Sequence, residues 1–97
     1  MKKDIKEIAL EIAKVVEMKN NDYNYAFAKG VDEFGYYEYL VALGHKYRRI
    51  KSLTVENNEQ LVNESVEDTL IDIVGYTLNM IKYIRDKGDD EIANQSK

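Results

Sequence analysis

Asn63-Glu64-Ser65-Val66-Glu67-Asp68-Thr69-Leu70-Ile71-Asp72-Ile73-Val74-Gly75-Tyr76 opens the longest helical pattern in the chain. Val66, Leu70, Ile73, Thr77, Met80, Ile81 and Ile84 return at three- and four-residue steps and form a core stripe. Glu64, Asp68 and Asp72 stand one turn apart on the other side, and Gly75 and Asn79 continue that row. Such a helix is either half solvated or half active site. Ser65 with Asp68 resembles a capping box and Gly88 suits a C′ position, so the helix is expected over about 65–87. A cap accounts for Asp68, and the helix dipole accounts for Glu64 and Glu67. Asp72 lies too deep in the helix for either account. Its weak helix propensity and its like-charged neighbour one turn earlier carry a small cost, which a cation or a basic partner would offset.

Upstream, residues 36–53 read as a second helix, with Tyr36, Tyr39, Leu40, Leu43, Tyr47 and Ile50 as its buried seam. Lys46 and Arg49 sit together on its flank. Two such cations either snorkel beside the core or meet phosphate, and periodicity favours the first. His45 falls off the seam, as a lone exposed histidine. Residues 4–19 form another amphipathic helix, with Asp4 and Glu7 as a capping pair. Its apolar stripe (Ile5, Ile8, Ala9, Ile12, Ala13, Val15, Val16) exceeds the ~100° that one core requires, which points to a second contact with another subunit. Residues 19–35 are the least regular stretch. Asn20, Asn21, Asp22 and Asn24 favour turns, Gly30 and Gly35 punctuate the end, and a short helical turn is expected near 24–29. The stretch is long for a helix connection, and its amide, carboxylate and aromatic groups would suit a small polar ligand. Residues 54–64 read as a polar connection, and residues 89–97 as a flexible tail beyond a single helical domain at 1–88.

The 97 residues suit one domain, and 44% apolar with 33% charged residues fits a solvated helical surface. Proline is absent, so long helices run without interruption. With no cysteine and one histidine, thiolate and histidine-rich metal sites are excluded, leaving hard cations on oxygen ligands. A net charge of −4 argues against general nucleic-acid binding. No apolar run approaches the ~20 residues of a membrane span, and no signal-peptide core is present, so a cytoplasmic protein is expected. Eight tyrosines against two phenylalanines offer stacking faces with polar tips, useful to a base, an interface or a half-buried core.

The ordered set Lys19-Asn20-x-Asp22-Tyr23-x-x-x-Phe27, Asp32-Glu33-Phe34-Gly35, Lys46-x-x-Arg49 and Glu64-Ser65-x-x-Asp68-Thr69-Leu70-x-Asp72 resembles the nucleotide-modification-associated domain family. These are small helical proteins common in bacteriophages and prophages, and the likeness covers residues 15–85. More loosely, the pattern is similar to the MazG-like all-α nucleoside triphosphate pyrophosphohydrolases. Those enzymes hold Mg²⁺ around a triphosphate with carboxylates on facing helices, and they assemble as dimers or tetramers. The resemblance implies Asp68 and Asp72 as metal ligands, with Glu64 a weaker candidate. It implies Lys46 and Arg49 on phosphate, and Lys19, Asn20, Asp22, Tyr23 and Phe27 around the nucleotide. Of the paired MazG-like motifs, the Glu-Glu-x-x-Glu helix is absent and the Glu-x-x-Asp helix is altered. Asn24 and His45 stand where relatives carry glycine and aspartate, and His45 removes a carboxylate beside Lys46.

Three functions compete on these grounds: Mg²⁺-dependent hydrolysis of a nucleoside triphosphate, non-catalytic binding that sequesters a nucleotide signal of host defence, and a helical interaction module whose acidic row is solvated. With the resemblance included, nucleotide handling by a homo-oligomeric helical bundle leads, in the bacterial host cytoplasm if the chain is phage-encoded.

Overall fold

The computed structural model describes the backbone of residues 2–23, 26–56 and 63–95, and the side chains of residues 2–20, 26–56 and 66–88. The chain is all-α: α1 (Ile5–Tyr23), α2 (Ala26–Phe34), α3 (Tyr36–Leu53) and α4 (Asn63–Gln95), with no strand among the described residues. None of these helices is long and apolar enough to cross a membrane.

α1 starts where the sequence asks it to. The Asp4 carboxylate accepts the Glu7 backbone N–H at 2.8 Å and satisfies one of the orphan donors of the first turn. The helix then runs through the asparagine-rich segment to Tyr23, four residues beyond the expected end. Two ties to α4, from Lys19 and Asn20, hold a stretch whose own propensity favours turns. α2 is likewise longer than a turn. It spans Ala26–Phe34 and passes through Gly30, so the expected irregular connection over 19–35 is almost wholly helical.

The break between α2 and α3 is a single residue. Gly35 takes φ 66° with ψ −146°, a positive-φ conformation essentially confined to glycine. Its N–H bonds Val31 at 2.7 Å, closing α2, and its carbonyl accepts the Glu38 N–H at 3.2 Å, opening α3. α3 ends with Thr54, whose N–H and hydroxyl both bond the Ile50 carbonyl. α3 and α4 lie antiparallel, with Tyr39 meeting Thr77 and Lys46 meeting Asp72. The Thr77 hydroxyl donates to Ile73 O at 2.8 Å, so the Tyr39 phenol donates to Thr77 at 2.9 Å.

α4 departs from expectation at both ends. It begins at Asn63, which puts Ser65 inside the helix, and it continues past Gly88 to Gln95 across most of the expected tail. Gly88 does not adopt a left-handed conformation, so it is a helical residue and not a C′ stop.

The buried interior is small. Val16, Val31, Leu53 and Met80, with Thr69, are the buried residues among those described. The expected seam of α3 is only partly covered, since Tyr36, Leu40 and Tyr47 are exposed. On α4, Leu70, Ile81 and Ile84 are half-covered at best. α4 meets α1, α2 and α3, and α3 meets α2 and α4, yet both stripes keep an open flank. On α1, Val16 is buried while Ile5 is 82% exposed and Ile8 and Val15 stay exposed, so the wide stripe is only partly covered among the described residues.

Candidate functional site

The acidic row of α4 faces a cleft. Asp72, Gly75, Tyr76 and Asn79 line a cavity of about 510 Å³ together with Val16, Lys19 and Asn20 of α1 and Phe27 of α2. Positions 72, 75, 76 and 79 share one helical face, so the row seen in the sequence becomes a wall. Gly75 lets α1 approach, because a Cβ there would lie 3.3 Å from Val16 Cγ2.

Asp72 organises the polar end of this cleft. Its Oδ1 accepts from Lys19 Nζ at 2.9 Å and its Oδ2 lies 3.0 Å from Lys46 Nζ. The two ammoniums come from α1 and α3 and share one carboxylate on α4. Asp72 is 27% exposed, Lys46 about the same, and Lys19 55%. Partial burial acts to raise the Asp72 carboxyl, but the hydrogen bonds from Lys19 and Lys46 outweigh it and hold it below its ordinary value. Lys19 is raised in turn, chiefly by its hydrogen bond to Asp72 and further by the charge of Asp68. The helix-interior aspartate thus has the basic partners that its cost implied.

Next along the wall, Asn20 and Asn79 pair their amides. Asn20 Nδ2 donates to Asn79 Oδ1 at 2.9 Å and Asn79 Nδ2 returns a bond to Asn20 Oδ1 at 3.2 Å. Asn79 Nδ2 also donates to the Gly75 carbonyl at 3.0 Å, which fixes its orientation. The far side of the cleft is aromatic: the Phe27 and Tyr76 rings stand 6.0 Å apart at 41°.

Of the sequence-derived candidates, Lys19, Asn20, Phe27, Lys46 and Asp72 converge on this cleft or its rim. Arg49 does not. It is exposed, lines none of the cavities described and makes no hydrogen bond or ion pair among the described residues. Asp68 is exposed one turn before Asp72 and acts on the site through its charge on Lys19. The side chains of Asp22, Tyr23 and Glu64, and all of Asn24, lie outside the described residues. His45 is exposed, borders a second groove, and places Nδ1 3.5 Å from Arg48 Nη2. The carboxylate that His45 fails to supply beside Lys46 comes from Asp72 instead.

Among the described residues, no three His, Cys, Asp or Glu side chains converge as a metal site. The donor chemistry also runs against Mg²⁺ as arranged, because both Asp72 oxygens already hold ammoniums that a dication would have to displace. Asn79, which the sequence placed on the row of Asp72, lines the cleft, whereas Tyr76 and Glu38 were not among the candidates. Tyr76 was accessible in principle, being four places after Asp72; Glu38 had no local signal.

The chain belongs to the nucleotide modification associated domain 1 family, whose family model matches residues 19–85. The match begins at Lys19 and includes Lys46 and Asp72, so all three members of the ion cluster lie within it. Searches of curated proteins and of solved structures gave no significant match.

Proposed function

We propose, from this family membership and the cleft together, that the protein binds a nucleoside phosphate with Lys19 and Lys46 on the phosphate. The observation that carries the reading is the convergence of two ammoniums on one half-buried carboxylate at the edge of an aromatic-walled cavity. Asp72 takes one donor from each ammonium, leaving each with two more for phosphate oxygens. The cluster keeps one net positive charge, and the cavity of about 510 Å³ falls within the size range of small-ligand sites. Phe27 and Tyr76 supply apolar surface for the rest of the ligand.

Asp72 is a positioning residue in this scheme. It holds two long, flexible side chains at one place and so lowers the ordering cost of binding. Arg49 would join only through a change of side-chain position. A protein that binds and releases its nucleotide unchanged fits a sequestering role, of the kind a phage would use against a nucleotide signal of host defence.

Calorimetry with ATP, GTP, CTP and UTP in metal-free buffer tests the reading. Binding is expected without metal, and Lys46→Ala is expected to weaken it roughly tenfold or more, as loss of a charge-assisted contact does. Failure of the wild-type chain to bind any of the four sinks the proposal. The hydrolytic alternative is checked in the same samples with Mg²⁺ added. Release of pyrophosphate would replace the binding-only reading with an enzymatic one, in which Asp72 would give up its ammoniums and, with Asp68, hold metal.

We also propose that a second copy of the chain covers the open apolar flanks. Ile5, Leu40, Tyr47 and Leu70 stand exposed on three helices, and exposed apolar side chains on this scale are what a partner surface covers. Light scattering after gel filtration should give a mass at least twice that of the chain; a monomer at micromolar concentration would overturn this.

A further inference from the structure

We infer that the base bound here is guanine and that Glu38 reads its edge. This deepens the nucleotide reading above and rests on it. A second groove, of about 500 Å³, runs beside the cleft and is lined by Phe34, Tyr37, Glu38 and His45 among others. Glu38 and Tyr76 line both cavities, so the groove continues the cleft past a shared wall. Tyr37 is 72% exposed and Phe34 57%, which leaves two aromatic faces open beside a carboxylate. Glu38 and Lys46 are both on α3, two turns or ~12 Å apart along its axis. A nucleotide lying along α3 with its phosphate at Lys46 therefore carries its base to Glu38.

The Glu38 carboxylate is distinctive. It is half-buried and makes no hydrogen bond or ion pair among the described residues. It rests against Gly30 of α2, where a Cβ would overlap its Cγ and carboxyl carbon. Glycine inside a helix is unfavourable by ~1 kcal/mol relative to alanine, and here it makes the space that this carboxylate occupies. Two carboxylate oxygens accept hydrogen bonds and donate none. The Watson–Crick edge of guanine offers two adjacent donors, N1–H and the N2 amino group, at matching spacing. Adenine and cytosine each set a donor beside an acceptor. Uracil sets one donor between two carbonyl oxygens, which would face the carboxylate with like sign. Stacking on Tyr37, Phe34 or Tyr76 serves every base alike, so discrimination falls to Glu38.

The other ionisable groups bordering this groove and the cleft behind it are His45, Tyr37, Tyr76, Lys19 and Asp72. His45 lies two turns along α3 from Glu38, on the side of Lys46. Neither it nor the lysines offers an acceptor that would favour adenine or cytosine in their charged forms.

The test is calorimetry of the full chain with GTP, inosine triphosphate, ATP, CTP and UTP in metal-free buffer. GTP is expected to bind roughly tenfold tighter than the others, inosine triphosphate included, since hypoxanthine lacks the second donor. Glu38→Gln presents one donor and one acceptor, so it should erase the GTP preference and favour ATP, the pairing that amide side chains make with adenine. Gly30→Ala displaces the carboxylate without removing it, and should narrow the gap between GTP and UTP by weakening GTP and relieving the like-sign contact with uracil. Equal binding of all five nucleotides, or a GTP preference that survives Glu38→Gln, overturns the guanine assignment and leaves the phosphate reading standing. Binding of none of the five overturns both.

Discussion

Asp72 and Asp32 are two carboxylates tied in similar ways to very different effect. Each has its carboxyl lowered by hydrogen-bonding partners on other helices. Asp32 on α2 accepts the Tyr83 hydroxyl at 2.6 Å and lies 3.4 Å from Lys87 Nζ, both on α4. That Tyr83 bond is the main cause of its lowering, and it raises the Tyr83 phenol in return. Lys87 also lies 5.5 Å from the centre of the Tyr83 ring. Yet the Asp32 cluster borders none of the cavities described, and it joins only two helices at an exposed surface. Asp72 joins three helices, is half-buried, and opens onto a cleft. A lowered carboxyl therefore marks no site here. What distinguishes Asp72 is cationic donors with spare capacity beside empty volume.

Four measurements sharpen or break this contrast. The largest effect is expected for Asp72→Ala, which leaves two ammoniums without their shared carboxylate. Its cost lies between that of an exposed pair and a buried one, about 1–2 kcal/mol, or a Tm lower by roughly 5–15 °C. A wild-type Tm in this variant would reduce the Asp72 cluster to the standing of the Asp32 one.

The second is the acid limb of stability. Because folding lowers the Asp72 carboxyl below its ordinary 3.8, its contribution is fully present above that value and is lost as pH falls through the folded one. Asp72→Asn should flatten the fall in urea-derived stability below about pH 4. Lys19 acts at the opposite end: its contribution is complete below 10.5 and is lost as pH rises through its raised value.

The third is Asp32→Asn, expected to shift Tm by clearly less than Asp72→Ala, since the carboxylate and both its partners are solvent-accessible. An equal or larger shift would make the α2–α4 staple, and not the cleft cluster, the main polar tie of the fold. The smallest effect is Tyr83→Phe. Removing the principal hydrogen bond should let the Asp32 carboxyl rise toward its usual range in an NMR titration, with nucleotide affinity unchanged.

Much of the architecture was legible beforehand, and the reasons are local. The helices α3 and α4 and the Asp4 cap follow from residue spacing within a few turns, but the burial expected of their apolar stripes does not, since Tyr36, Leu40, Tyr47 and Leu70 are exposed. The errors share one cause as well. Asn20, Gly30 and Gly88 carry strong local signals for turns or stops, and all three lie within helices. At Asn20 the amide pairing with Asn79 overrides propensity, and at Gly30 the seating of Glu38 accounts for the glycine. Gly35 kept its signal because the single residue between α2 and α3 takes a positive φ there, which glycine adopts most readily.

By itself, the sequence determined that this chain is helical, where its principal helices lie, and that Asp72 needed a partner. Those conclusions rest on periodicity and on charges one turn apart, which a chain carries in one dimension. Which partners Asp72 takes was decided in three dimensions. Lys19 is 53 positions away from Asp72, and only the packing of α1 and α3 on α4 brings it and Lys46 to the same carboxylate. The same packing left Arg49 outside and brought Glu38 to a wall shared by two cavities. Helix spacing sets which side chains share a face; the crossing of helices decides which faces meet.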